Sequence, residues 1–148
     1  MKTNHITFMA LFITSAALLT PVLHAQQEAC STETAAGTYV VSCSGFTAAG
    51  PGGTLLPVHQ LGLVTGDRDG NFTGSTTVNI GGLILIPDAK VSGKATINPN
   101  CTGNITYNKG TPTQLTVTFV VLREAKEIHG LVTDTGSVIS CVLNRTSK

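Results

Sequence analysis

Turn-forming residues divide the chain from Gly37 onward into runs whose lengths suit β-strands. Within these runs apolar and polar residues alternate, so that Leu115, Val117 and Phe119 share one face, with Thr116 and Thr118 on the other. This period of two is typical of strands and not of helices. The sequence therefore predicts an all-β fold of about eight strands, near residues 37–44, 55–66, 71–79, 83–97, 102–108, 113–122, 127–133 and 137–145.

The connections between the predicted strands are short and contain Gly, Asn or Asp, as in 67–71, 98–103 and 133–136. Short connections favour an antiparallel meander, in which each strand pairs with the next. A meander of eight strands avoids exposed edges by closing, so that the last strand pairs with the first. We therefore expect a small barrel, with a two-sheet β-sandwich as the alternative.

The first 25 residues have the pattern of a secretory signal peptide. Lys2 precedes a mainly apolar run from Ile6 to Leu23, and the small residue Ala25 precedes a polar stretch. A transmembrane anchor fits less well, because Pro21 interrupts the run. We expect cleavage after Ala25, no membrane anchor afterwards, a secreted or periplasmic location, and a single domain over 26–148.

The charge balance disfavours nucleic acid as a partner. Removing residues 1–25 takes away Lys2, so the nine Lys and Arg residues become eight, equal in number to the eight Asp and Glu. A formal charge of zero leaves no basic stripe to follow a phosphate backbone.

Four cysteines, Cys30, Cys43, Cys101 and Cys141, remain in the predicted mature chain. An even number in an oxidising compartment predicts two disulfides, and the wide spacings disfavour a metal site. Three connectivities are open. Closure of the barrel would make Cys43, at the end of the first strand, a neighbour of Cys141 in the last strand. We therefore predict the pairs Cys43–Cys141 and Cys30–Cys101.

Candidate ligand-binding residues are few. His59 and His129 share strand faces with leucines, and an inward-pointing histidine would orient a ligand or exchange a proton. The alternative, which is more usual for a single histidine on a strand, is an exposed or simply hydrogen-bonded side chain. Tyr39 and Tyr107 are likewise candidate ligand-binding residues. We assign no catalytic residue and no cofactor, since no G-x-S-x-G motif is present and disulfides occupy the cysteines.

The apolar run 81–87 is one of the most hydrophobic parts of the predicted mature chain. It suggests either a strand buried on both faces or the lip of a cavity. The first alternative is the simpler interpretation.

Several turn and strand segments carry a resemblance to a known family: 37–39, 63–67, 69–70, Gly74, 91–93, 97–98, 101–103 and 130–134. They resemble those of uncharacterised secreted bacterial proteins whose barrel is similar to that of allene oxide cyclase. The resemblance implies this calycin-like fold over roughly residues 30–145 and transfers no catalytic residue.

Three functional hypotheses follow. The first is a non-catalytic barrel whose interior binds a small apolar molecule, and the second is a cofactor-free cyclase or isomerase that uses His59 or His129. The third is a structural or adhesive envelope protein with a filled barrel. The sequence favours a protein that is not an enzyme, and the volume of the interior and the direction of the two histidines separate the hypotheses.

Overall fold

A computed structural model of the chain describes residues 29–50, 52–111 and 114–147. The predicted signal peptide, residues 1–25, lies outside these ranges. Within them the chain forms eight strands, and no helix is long and apolar enough to cross a membrane. The strands are β1 (Gly37–Ala48), β2 (Leu55–Gly66), β3 (Asn71–Ile80), β4 (Leu83–Ile97), β5 (Thr102–Tyr107), β6 (Leu115–Leu122), β7 (Glu127–Val132) and β8 (Ser137–Ser147).

Each strand pairs antiparallel with the next, and β8 pairs with β1, so the sheet closes into a barrel. The closing seam extends from Thr38 to Thr47 of β1. The predicted all-β barrel is confirmed, and the alternative of a sandwich is wrong, because closure gives the first and last strands partners.

The barrel interior is formed by alternate residues of every strand, as the period of two requires. On β1 the inward residues are Tyr39, Val41 and Cys43, whereas Ser42 and Ser44 face solvent. The other buried hydrophobic side chains of the core include Val58, Val64, Phe72, Val91, Ile105, Val117, Phe119, Val121, Ile128, Val132, Ile139 and Leu143.

Glycines on the inner face make room for aromatic rings that fill the interior. Gly93 lies between Phe72 and Tyr107 in the sheet, and a Cβ atom at Gly93 would be 2.5 Å from the Phe72 ring. The two rings meet edge to face with their centroids 4.8 Å apart. A Cβ atom at Gly103 would likewise be 2.4 Å from the ring of Phe119. Side chains from several strands thus occupy the middle of the barrel.

Both predicted disulfides are present. Cys43 and Cys141 lie opposite each other across the seam between β1 and β8, with their Cα atoms 4.0 Å apart. Cys30 bonds to Cys101 in the turn between β4 and β5, with a Cα separation of 4.9 Å. Two disulfides indicate an oxidising, extracytoplasmic environment.

The two ends of the barrel differ. At the capped end, where β1 begins, residues 29–36 form a turn that we call the cap, and Thr32 and Ala35 of the cap lie against the barrel interior. At the hairpin end, Gly81 and Gly82 connect β3 to β4 with φ values of 62° and 88°. Two successive residues with positive φ are typical of a two-residue type I′ turn, which accounts for the glycine pair.

The apolar run 81–87 forms this turn and the start of β4, and the prediction of burial on both faces is wrong at Leu83, which is 67% exposed. The pairing of β4 with β5 begins only at Gly93, so among the described residues β3 is the sole strand partner of the first half of β4. This half of β4 extends beyond the part of the barrel that β5 closes.

Candidate functional site: the capped end and the outer wall

A small apolar chamber lies inside the barrel at the capped end. Its volume is about 60 Å³, whereas pockets that bind small molecules usually have about 300–1,000 Å³. Thr32 and Ala35 of the cap form part of its wall, and the barrel supplies mainly Val64, Phe72, Ile97, Ile105, Phe119, Ile128 and Leu143. The chamber therefore has the chemistry of an apolar ligand site without the volume of one.

Tyr39 and Arg145 connect the cap to the barrel wall. The Arg145 guanidinium donates hydrogen bonds to the Tyr39 hydroxyl from Nε (3.1 Å) and Nη2 (2.7 Å), and Nη2 also reaches the carbonyl of Thr34 at 2.7 Å. The Tyr39 hydroxyl lies 2.8 Å from the carbonyl of Ala35 and 3.1 Å from that of Ala125. One phenol thus links the cap, β1, β8 and the β6–β7 turn.

The electrostatics of this cluster keep Tyr39 neutral. Burial raises the pKa of Tyr39 above its ordinary value, and the hydrogen bond and positive charge of Arg145 only partly oppose that rise. The guanidinium also lies 5.3 Å from the centre of the Tyr39 ring. The geometry is that of a structural anchor, because a neutral phenol whose proton is donated to backbone carbonyls is a poor general base.

The β6–β7 turn beside this cluster has an unusual backbone. Arg123, Glu124 and Ala125 have φ values of 50°, 55° and 60°, in the left-handed region. Each such residue carries a steric cost that glycine would not. Ala125 is 1% exposed, and its carbonyl faces the Tyr39 hydroxyl, so tertiary contacts hold this turn in place.

Tyr39 and Tyr107, two of the four residues predicted to bind a ligand, both line the chamber. Burial raises the pKa of Tyr107 to about 12. Their inward placement agrees with the prediction, while ligand binding by these residues stays a prediction.

His59 and His129 do not point into the barrel, so of the two alternatives the exposed one is correct. His59 does share a face with Leu61 and Leu63, but that face is the outer one, with the two leucines 60% and 52% exposed. The inner face of β2 carries Val58 and Val64 instead.

Close packing explains the orientation of β2. At Gly62, between Leu61 and Leu63, a Cβ atom would be 2.2 Å from the carbonyl oxygen of Ser75 and 2.6 Å from a methyl group of Thr76. The strands approach too closely here for a leucine to face inward, so the leucines and His59 lie outside.

His129 also lies on the outer face, with its side chain 46% exposed and Nε2 2.6 Å from Oε1 of Glu127. This contact and the nearby Arg123 hold the pKa of Glu127 below its ordinary value. The inward residues of β7 are Ile128, Gly130 and Val132. Neither histidine can reach the chamber, since both lie on the other side of the sheet.

A larger concavity, of about 400 Å³, lies on the outer wall across β1, β2 and β3. We call it the outer groove. Val40, Leu61 and Leu63 give it apolar walls, Ser75 and Thr77 add hydroxyl groups, and Asp88 of β4 adds a carboxylate. The carboxylate comes from a residue with φ of 53°, next to an irregularity in the β3–β4 pairing.

The sequence reasoning missed Arg145 and the outer groove. Arg145 was detectable, because it follows Cys141 and Leu143 at the inward spacing of β8, and a charged residue there needs polar partners. The groove has no such signal, since it depends on which face of β2 is outside.

No protein-family model, curated protein or solved structure matches this chain.

Proposed function

We propose that this protein is a non-catalytic β-barrel, exported as a secreted or periplasmic protein after removal of residues 1–25, that serves as a structural or adhesive component of the cell envelope. One observation carries the proposal. The larger of the two concavities described above, about 400 Å³, is on the outer wall, whereas the chamber at the capped end has about 60 Å³.

A filled interior supports a surface role. Aromatic rings seated over Gly93 and Gly103 occupy the space that a ligand would need. In eight-stranded barrels, side chains either fill the interior completely or leave room for one small ligand. In this barrel the side chains nearly fill it. The proposal includes a family resemblance to barrels similar to that of allene oxide cyclase. It transfers no activity from those proteins to this chain.

The chemistry of the outer groove suits contact with a largely uncharged partner surface. Leu61 and Leu63 supply apolar area at the centre of the wall, and the hydroxyls of Ser75 and Thr77 are available at its side. Exposed leucines next to hydrogen-bonding groups are common at recognition surfaces. We therefore place contact with the envelope at this groove.

The hypothesis of a cyclase or isomerase receives less support. It depended on His59 or His129 as the proton-transfer group inside the barrel, and both side chains are on the outer face.

The adhesive role can be tested with two leucines of matched exposure. Leu63 lines the groove and is 52% exposed, and Leu131 on β7 lies outside it and is 51% exposed. In sedimentation with isolated envelopes of the exporting cell, we expect Leu63→Ser to reduce the bound fraction several-fold and Leu131→Ser to leave it unchanged. Equal retention of both variants, or no retention of the wild-type protein, would contradict the proposal.

A carrier of a small apolar molecule is the second candidate, favoured by the apolar lining of the chamber. Native mass spectrometry of the unreduced protein, purified from its own compartment, separates the two candidates. The structural role predicts the mass of the oxidised chain alone, whereas extra mass that is lost on denaturation would establish a carrier.

A further inference from the structure

The cap is attached to the barrel at a small number of points. Cys30 is bonded to Cys101, and the carbonyls of Thr34 and Ala35 receive the hydrogen bonds from Arg145 and Tyr39. The ion pair between Glu33 and Arg68 is long, at 3.7 Å, and both side chains are mostly exposed, so it contributes little. The cap also continues through the peptide chain into β1 at Gly37, so the Cys30–Cys101 bond is the covalent link that holds its other end.

The chamber lies directly beneath the cap. Thr32 and Ala35 form the cap's share of the wall, and the opposite side consists of barrel residues such as Phe119 and Leu143. The chamber is partly open to solvent already, and displacement of the cap would widen this opening and expose more of its apolar wall. Exposed apolar surface that is enclosed on its other sides is the usual form of a site for a small apolar ligand.

The two disulfides differ in access. Cys43 and Cys141 are 5% and 6% exposed inside the barrel wall, while Cys30 and Cys101 are both partly exposed. Reduction requires a thiolate to reach a sulfur atom of the disulfide, so access controls the rate. A reductant will therefore attack the Cys30–Cys101 bond before the seam disulfide.

Cys101 also occupies a strained position. Cys101 has φ of 66°, in the left-handed region that is costly for a residue with a Cβ atom. While the disulfide is intact, Cys101 is held in the β4–β5 turn and the cap is held with it. Cleavage of the bond removes one of the constraints that maintain this conformation.

From these four observations, we propose that the Cys30–Cys101 disulfide is a redox latch and that its reduction opens a binding site for a small uncharged apolar molecule at the capped end. A dithiol supplies two electrons and two protons, so that the S–S bond becomes two thiols and the dithiol becomes a disulfide. The cap then leaves the mouth of the barrel. This inference goes beyond the envelope role and does not depend on it.

The first experiment measures order of reduction and movement of the cap in the wild-type protein. Samples in increasing concentrations of dithiothreitol are alkylated and mapped by mass spectrometry, and amide hydrogen exchange is followed in parallel. We expect Cys30 and Cys101 to be labelled first, together with faster exchange over 34–36 and unchanged exchange in β1 and β8. Labelling of Cys43 and Cys141 at the same rate, or unchanged exchange over 34–36, would overturn the latch.

The second experiment tests the binding site with the neutral apolar dye Nile red. The Cys30→Ser/Cys101→Ser variant should bind the dye without reductant and increase its fluorescence several-fold, while the oxidised wild-type protein should not. The variant must retain the circular dichroism of the barrel. If it does not fold, partly reduced wild-type protein, labelled only at Cys30 and Cys101, replaces it.

A dye signal equal to that of the oxidised protein would show that release of the cap opens no site. Such a result would leave the envelope role unaffected, because that role is measured on the oxidised protein through the Leu63 and Leu131 variants.

Discussion

The capped end of the barrel buries its apolar residues beneath a covalently attached segment, whereas the hairpin end leaves several of its own in solvent. At the capped end Phe119 and Leu143 are 4% and 5% exposed, beneath a cap held by Cys30–Cys101 and Arg145. At the hairpin end, Leu83 is 67% exposed and Leu55 53%. The capped end thus covers the apolar residues of its interior, whereas the hairpin end leaves Leu83 in solvent.

Hydrophobicity alone therefore does not locate the core of such a barrel. The run 81–87 contains four large aliphatic residues, yet its strand extends past the pairing with β5. Burial depends on what closes over a residue, and at the capped end that is an irregular segment of eight residues, 29–36. The cap makes the capped end the better place for a regulated site.

Removal of the seam disulfide should have the largest effect, since it weakens the barrel wall that both ends share. We expect the Cys43→Ala/Cys141→Ala variant to lose about 2–5 kcal/mol in the free energy of unfolding, because the bond closes a loop across 98 residues. The measurement is denaturant unfolding followed by circular dichroism.

The matched variant Cys30→Ala/Cys101→Ala should lose less, although its sequence separation of 71 residues is similar. A released cap gains freedom in the folded state as well, which cancels part of the entropy gained by the unfolded chain. Equal losses in the two variants would mean that the cap is as integral to the fold as the seam.

The two tyrosines report whether the capped end excludes solvent. Both line the chamber, and burial raises the pKa of Tyr107 to about 12 and that of Tyr39 above its ordinary value. A raised tyrosine pKa favours the neutral form in the folded state. The stability that a buried neutral tyrosine adds to the folded protein is therefore complete below about pH 10. For Tyr107 this stability is lost as the pH rises from about 10 toward 12.

In the oxidised protein we expect the tyrosinate absorbance of Tyr107 at 295 nm to appear only near pH 12, and that of Tyr39 to appear above its ordinary range. The protein in guanidinium chloride should titrate near pH 10. Since the chain has two tyrosines, ionisation of half of them near pH 10 in the folded protein would mean that one side of the chamber is open to solvent.

The sequence was sufficient to predict the strands, because turn residues such as Gly70 and Gly136 mark the connections and the alternation marks the runs between them. The observed strands begin and end close to the predicted positions. The disulfides followed from closure, since it brings the first and last strands together and leaves Cys30 and Cys101 for each other.

Which face of β2 points into the barrel could not be predicted, since both faces carry large apolar residues. Leu61 and Leu63 occupy one face, and Val58 and Val64 the other. The choice between them is made by the close approach of Gly62 to Ser75, which is a contact between strands and not a pattern along one. The volume of the chamber was equally hidden, because it depends on how Phe72 and Phe119 lie over their glycines.

Thr76 tests how well the region between the two ends is packed. It is 2% exposed, and its hydroxyl has no hydrogen-bond partner among the described residues. Because valine has nearly the same shape, Thr76→Val should stabilise the protein by about 1 kcal/mol. Thermal unfolding measures this change, and Thr77→Val on the outer side of β3 is the control, expected to have little effect. A destabilised Thr76→Val variant would indicate that an ordered water binds the hydroxyl.

Leu83 gives the smallest expected effect and the most direct comparison of the two ends. Leu83→Thr should change the free energy of unfolding by no more than about 0.5 kcal/mol, because the side chain is already mostly in solvent. The same substitution at the capped end, Leu143→Thr, should cost about 2 kcal/mol or more, since it leaves a cavity and buries a hydroxyl. Denaturant unfolding of both variants measures the contrast. A large loss for Leu83→Thr would mean that the hairpin end is also covered in solution, by another molecule or by a second copy of the chain.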